Sequence, residues 1–173
     1  MTRLTSQGIA HTSDESQVAA FSEQIRASVD EHGWAAVAVA SEPPFTYTAG
    51  LWRSLNHPEL IVTGLPAETA KVVLDHAVDE IKRGQPIRDG MTVRGLIGEY
   101  PVAARRVQPS SLAQLAFAAE LYRGVIFSAI QLVWPDRAGH FPWHIGTARE
   151  YRQAQPLLFS TSRLASLIGI RRR

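Results

Sequence analysis

At 173 residues the chain is long enough for one core that buries roughly two-thirds of its unfolded surface. Its 45% hydrophobic and 20% charged content is that of a globular protein, and no apolar run nears the roughly 20 residues of a membrane helix, so no membrane association is expected. The absence of cysteine excludes disulfides, zinc–thiolate centres and thiol nucleophiles, and fits a cytoplasmic location; the charge of +2 becomes slightly acidic once the closing Arg171, Arg172 and Arg173 are set aside, which argues against nucleic acid as a partner.

Residues 1–11 read as a flexible polar N-terminal arm without an apolar segment of signal-peptide length, so export is not expected. A helix is predicted from Thr12, which has capping-box spacing to Glu15, and Val18, Phe21, Ile25 and Val29 recur on one face until Gly33. "WAAVAVAS" and "FTYTAGLW" follow as strands joined by the turn Ser41-Glu42-Pro43-Pro44, and "ELIVTGL" reads as a short buried strand. Pro66 then opens a helix with Ala70, Leu74, Ala77 and Ile81 on one stripe, Lys82 and Arg83 in its last turn, and Gly84 ending it.

"MTVRGLIGEY" and "VAARRVQ" are weaker strands divided near Pro101, and a third helix is predicted from Ser111 to Arg123. "VIFSAIQLVW" is apolar on both faces, as expected of a central strand. From Arg149 the chain is partly helical with a break near Pro156, and residues 161–173 form a basic C-terminal tail. Grouped strands predict an α+β fold: a single domain over 12–160, with a largely antiparallel sheet and three to four helices packed on it.

The chemistry gathers in three places. In "FTYTAGLW", alternation puts Phe45, Tyr47, Ala49 and Leu51 on one face and Thr46, Thr48, Gly50 and Trp52 on the other, either a platform for a planar ligand or a half-exposed sheet face. In "NHPEL", His57 and Glu59 point the same way if extended. With His140 or His144 they would form a two-histidine, one-carboxylate iron site; otherwise Glu59 caps or ion-pairs at the strand entrance. In "QLVWPDRAGHFPWH", Gln131 is polar inside an apolar strand and must pair with backbone or reach a pocket. Asp136 is a general base, a ligand acceptor or a turn former. His140 and His144 have the spacing of paired zinc ligands on a helix, but Pro142 lies between them and breaks the shared face. No P-loop, dinucleotide fingerprint or GxSxG elbow occurs, and neither a metal nor another cofactor is expected.

"HGWAAVAV", "PPFTYTAGLW", "HPELIVTGLP", "IKRGQPIRDG" and "IQLVWPDRAGHFPW…QAQPLL" together resemble the uncharacterised bacterial family called domain of unknown function 4262, over residues 33–158. The resemblance implies weight on Tyr47, Glu59, Gln131, Asp136 and Trp143, which match recurring positions, and none on His140 and His144. It carries no established activity.

The leading expectation is a pocket for a small polar or aromatic molecule, formed by 45–52, 57–60 and 131–143. Tyr47, Trp52, Glu59, Gln131, Asp136 and Trp143 would line it, Trp34 adding stacking surface. Any catalysis would be acid–base work by Glu59 and Asp136 with Tyr47 assisting. The alternative is a protein-interaction or regulatory module, such as a homodimer formed through the aromatic turn and "LASLIGIRRR". A third reading is a metal enzyme using His57, Glu59 and a distant histidine.

Overall fold

A computed structural model describes residues 7–160, with side chains from Ser16 onward; residues 1–6 of the expected arm and the basic tail 161–173 lie outside the described residues. The fold is α+β. Six strands form one sheet: β1 (Ala35–Val39), β2 (Phe45–Ala49), β3 (Glu59–Thr63), β4 (Thr92–Ile97), β5 (Tyr100–Arg106) and β6 (Ala129–Val133). Their order is β1-β2-β3-β6-β5-β4, antiparallel throughout except for the parallel pair β3–β6, where Glu59, Leu60 and Ile61 face Ala129, Ile130 and Gln131. Five α-helices, α1 (Gln7–His32), α2 (Leu51–Ser54), α3 (Ala67–Lys82), α4 (Ala116–Leu121) and α5 (Arg149–Ala154), and a 3-10 segment (Pro109–Gln114) complete the described elements, more than the three to four expected.

β3 and β6 are buried at every residue, which explains why "ELIVT" and "AIQLV" are nearly continuous apolar runs rather than alternating ones. On one face, Leu60, Val62, Ile130, Leu132, Val102 and Ala104 meet the α3 stripe of Ala70, Val73, Leu74, Ala77, Val78 and Ile81. On the other, Tyr47, Ala49, Ile61 and Ala129 pack under Ile25 and Val29 of α1, Phe117 and Ala118 of α4, and Leu158. The predicted α3 stripe is thus the one that is buried.

Five expectations are corrected, the last of them at Gly50. α1 begins at Gln7, so Thr12 lies inside the helix rather than at its start; no proline interrupts 7–11 to stop the helix there. The β4–β5 turn falls at Gly98 and Glu99, and Pro101 lies within β5 ahead of Ala103, where pairing with β6 begins, so its missing N–H breaks no bond of that ladder. The third helix is split because Leu115 leaves helical geometry and buries its side chain. β6 covers only half of "VIFSAIQLVW": Val125 and Ile126 precede it and are exposed.

Gly50 ends the alternation of "FTYTAGLW". At φ 118° it turns β2 into α2, so Leu51 joins the α3 side while Trp52 packs with Tyr47 and Ala49, the reverse of the expected assignment for both. A Cβ on Gly50 would lie 2.5 Å from the Gly33 carbonyl oxygen, because the α1–β1 junction packs directly on it.

Candidate functional site

Glu59 opens β3 and is fully buried. Its Oε1 accepts the amide N–H of Gly50 at 3.1 Å and of Trp52 at 3.0 Å, together with the Tyr122 hydroxyl, and its Oε2 accepts the Thr48 hydroxyl at 2.5 Å. The Thr48 hydroxyl accepts from Leu60 N–H, and the Tyr122 hydroxyl also accepts from Gly50 N–H. The carboxyl group therefore fills the fork where β2 and β3 separate and caps the start of α2 from across the sheet. Burial pushes its pKa above the usual carboxylate range, an effect partly offset by the hydrogen bonds from Thr48, Trp52, Tyr122 and Gly50. Burial, and then the neighbouring Glu59, raise the pKa of Tyr122.

Tyr47 does for α4 what Glu59 does for α2. Its hydroxyl accepts the Phe117 amide at 3.1 Å, near the start of that helix, and burial raises its pKa. Trp52 is partly buried and, with Arg53, Leu121, Tyr122, Arg123 and Val125, borders a shallow cleft of about 350 Å³. His57 faces elsewhere: its Nδ1 lies 2.7 Å from the Pro58 carbonyl, while its Nε2 lies 3.1 Å from the Ile87 amide and 2.9 Å from the Ile87 carbonyl. An Nε2 that accepts from Ile87 and an Nδ1 that donates to Pro58 describe a neutral imidazole, and burial lowers its pKa. The His57 and Glu59 side chains therefore diverge across Pro58. Among the described residues no three His, Cys, Asp or Glu side chains converge as metal ligands, so the iron triple is not assembled.

Gln131 pairs with backbone, the first of its two expected fates. Its amide nitrogen donates to the Pro156 carbonyl at 2.8 Å and to the Thr63 hydroxyl at 3.2 Å, and its oxygen accepts Leu158 N–H at 2.9 Å. Gln155, also fully buried, grips the Trp134 amide and carbonyl in the same way. The two glutamines stitch segment 155–158 onto the sheet. Trp143 stacks on Phe141 at 4.8 Å, packs edge-on against Phe159, and lies under the Arg105 guanidinium at 5.3 Å.

Asp136 forms the turn. Its Oδ1 accepts Ala138 N–H at 2.9 Å and His140 N–H at 2.8 Å, and its own N–H donates to the His140 carbonyl at 2.8 Å. The backbone hydrogen bond from His140, with that from Ala138 and the nearby imidazole, holds its carboxyl below the usual carboxylate range. The same residue stands in the wall of a cleft of about 610 Å³, bordered by Leu65, Ile97, Tyr100, Trp134, Pro135, Arg137, Ala138 and Tyr151.

This cleft sits past the C-terminal ends of β3 and β6, whereas Glu59 stands at the N-terminal end of β3. The expected lining residues are thus divided between the two ends of the parallel pair. Asp136 borders the larger cleft and Trp52 the smaller one; Tyr47, Glu59 and Gln131 are buried at internal hydrogen bonds, and Trp143 belongs to the aromatic turn against Phe159. Sequence reasoning missed Trp134, Tyr151 and Tyr122. Trp134 was legible as an aromatic at a strand end before proline; Tyr122 and Tyr151 meet their partners across 63 and 17 residues, with no local pattern to mark them.

Fold and site define an α+β protein with an aromatic-walled cleft at the end of a mixed sheet, in which most polar core residues are occupied with capping and stitching. A family model described as Domain of unknown function (DUF4262) matches residues 28–148, and the chain belongs to that family. No curated protein and no solved structure matches it. No helix among the described residues is long and apolar enough to cross a membrane.

Proposed function

We propose that the chain binds a small aromatic molecule in the cleft bordered by Trp134, Tyr151, Leu65 and Asp136. The observation that carries this reading is the state of the two ring walls. Trp134 and Tyr151 meet edge to face at 4.8 Å, the Trp134 indole N–H donates to the Thr63 carbonyl at 2.9 Å, and the Tyr151 hydroxyl donates to the Trp134 carbonyl at 2.5 Å. With those polar atoms spent internally, the rings present hydrocarbon to the cleft, the surface on which another ring stacks. Asp136, held ionised, suits an electrostatic anchor better than a general base, so the reading is of binding rather than turnover.

Saturation-transfer NMR with phenol, indole and benzoate tests it. At least one probe should receive magnetisation from the wild-type chain, and Ala138→Trp, at an exposed rim position, should abolish the transfer. Absence of transfer to all three, or transfer unchanged in the variant, would reject the cleft as the site.

A second reading, an interaction surface, rests on Ile126 and Ile145, exposed at 90% and 94%. It requires a concentration-dependent mass in light scattering that Ile145→Asp reduces; a constant mass of 19.1 kDa would dismiss self-association.

A further inference from the structure

Resting on the cleft reading above, we infer that the occupant is a zwitterion: an α-amino acid with an aromatic or large apolar side chain, its ammonium paired with Asp136 and its carboxylate with Arg137.

Consecutive residues of opposite charge border one cleft and are not joined to each other. The salt bridges among the described residues include none made by Arg137. Asp136 is fixed through Oδ1 by two backbone amides, so its carboxylate cannot swing round to neutralise its neighbour. Among the described residues Oδ2 meets the His140 ring, 3.5 Å away, and the side chain keeps 25% of its surface exposed. One carboxylate-bearing and one guanidinium-bearing residue therefore border the same largely apolar cleft.

The other lining groups narrow the choice further. The polar atoms of Trp134 and Tyr151 are occupied, Leu65, Ile97, Pro135 and Ala138 offer none in their side chains, and among the side chains only the exposed Tyr100 hydroxyl adds to the charged pair. A zwitterion pairs with both residues, whereas a ligand with one charge leaves the other to water, and a polyanion would be repelled by Asp136. The two charges of an α-amino acid are separated by a single carbon and match charges on adjacent residues. An apolar side chain matches the ring-walled interior.

Isothermal titration calorimetry with L-phenylalanine, 2-phenylethylamine and 3-phenylpropionate separates the possibilities. L-Phenylalanine should bind at least tenfold more tightly than either singly charged analogue. Asp136→Asn, which keeps the Oδ1 acceptor of the turn, should weaken L-phenylalanine at least tenfold while sparing 3-phenylpropionate. Arg137→Gln should weaken L-phenylalanine and spare 2-phenylethylamine, and its exposed position keeps it informative even where the Asp136 variant melts early. Binding of either analogue as tight as that of L-phenylalanine would overturn the zwitterion and leave the cleft standing. Absence of heat from all three, together with failure of phenol, indole and benzoate to receive magnetisation, would remove both.

Discussion

Replacing Glu59 has a calculable effect, because every atom that depends on its carboxyl group is known. Glu59→Ala leaves the Trp52 amide and the Thr48 and Tyr122 hydroxyls without their acceptor in a fully buried site, while the Gly50 amide keeps only the Tyr122 hydroxyl. Each orphaned donor costs about 1–3 kcal/mol, less whatever entering water recovers. A total of about 3–5 kcal/mol, comparable to stripping one partner from a buried charged network, is therefore expected in urea unfolding. Glu59→Gln keeps an acceptor for three of the donors and turns an N–H toward Thr48, so about 1–2 kcal/mol is expected. The two variants also differ in pH response. Since the folded pKa of Glu59 lies above its ordinary 4.5, the native state holds the proton more strongly, and stability is lost as pH rises from 4.5 through the folded value. His57 acts in the opposite sense, its folded pKa lying below 6.5, so its contribution is present above 6.5 and lost as pH falls. Removing the Glu59 titration should make the stability of Glu59→Gln rise more steeply between pH 4.5 and 6.5 than that of the wild type. Parallel profiles, or a loss below about 1 kcal/mol in Glu59→Ala, would refute the reasoning.

Gly64→Ala places a Cβ 2.1 Å from the Ala154 carbonyl oxygen at φ 76°; about 1–2 kcal/mol for the left-handed backbone and a similar loss from displaced α5 should appear in chemical unfolding. Gln131→Leu strands the Leu158 amide and the Pro156 carbonyl, so about 2–4 kcal/mol should be lost, with faster amide exchange at Leu158. Asp136→Ala should lower the melting temperature by removing the Oδ1 acceptor, whereas Asp136→Asn should melt near wild type, a contrast that differential scanning calorimetry reads directly.

Local features were legible in the sequence and long-range ones were not. The α3 stripe, the β1–β2 hairpin and the turn role of Asp136 follow from spacing, proline and short polar side chains within a few residues. Glu59 stood out as an acid at a strand entrance, but its caps on Gly50 and Trp52 depend on a bend that Gly50 introduces, and Tyr122 arrives from 63 residues away. Gln131 announced itself as an odd polar residue in an apolar strand, and pairing with backbone was one of its two foreseeable fates, but nothing local marked residues 156–158 as the partner. The cleft is made by four separate segments, around Leu65, Ile97–Tyr100, Trp134–Ala138 and Tyr151, so no single stretch carries its signature.

The strand order divides the sheet into two sequence-local meanders, β1-β2-β3 and β4-β5-β6, joined along the β3–β6 seam alone. Within each half the paired residues lie at most about 30 apart, whereas the seam pairs residues about 70 apart and demands the larger loss of chain entropy. Docking of two preformed halves is then the expected rate-limiting event in folding. Substitutions at the seam, such as Ile130→Val, should slow refolding, whereas Val37→Ala in the first meander should chiefly alter the unfolding limb of the chevron.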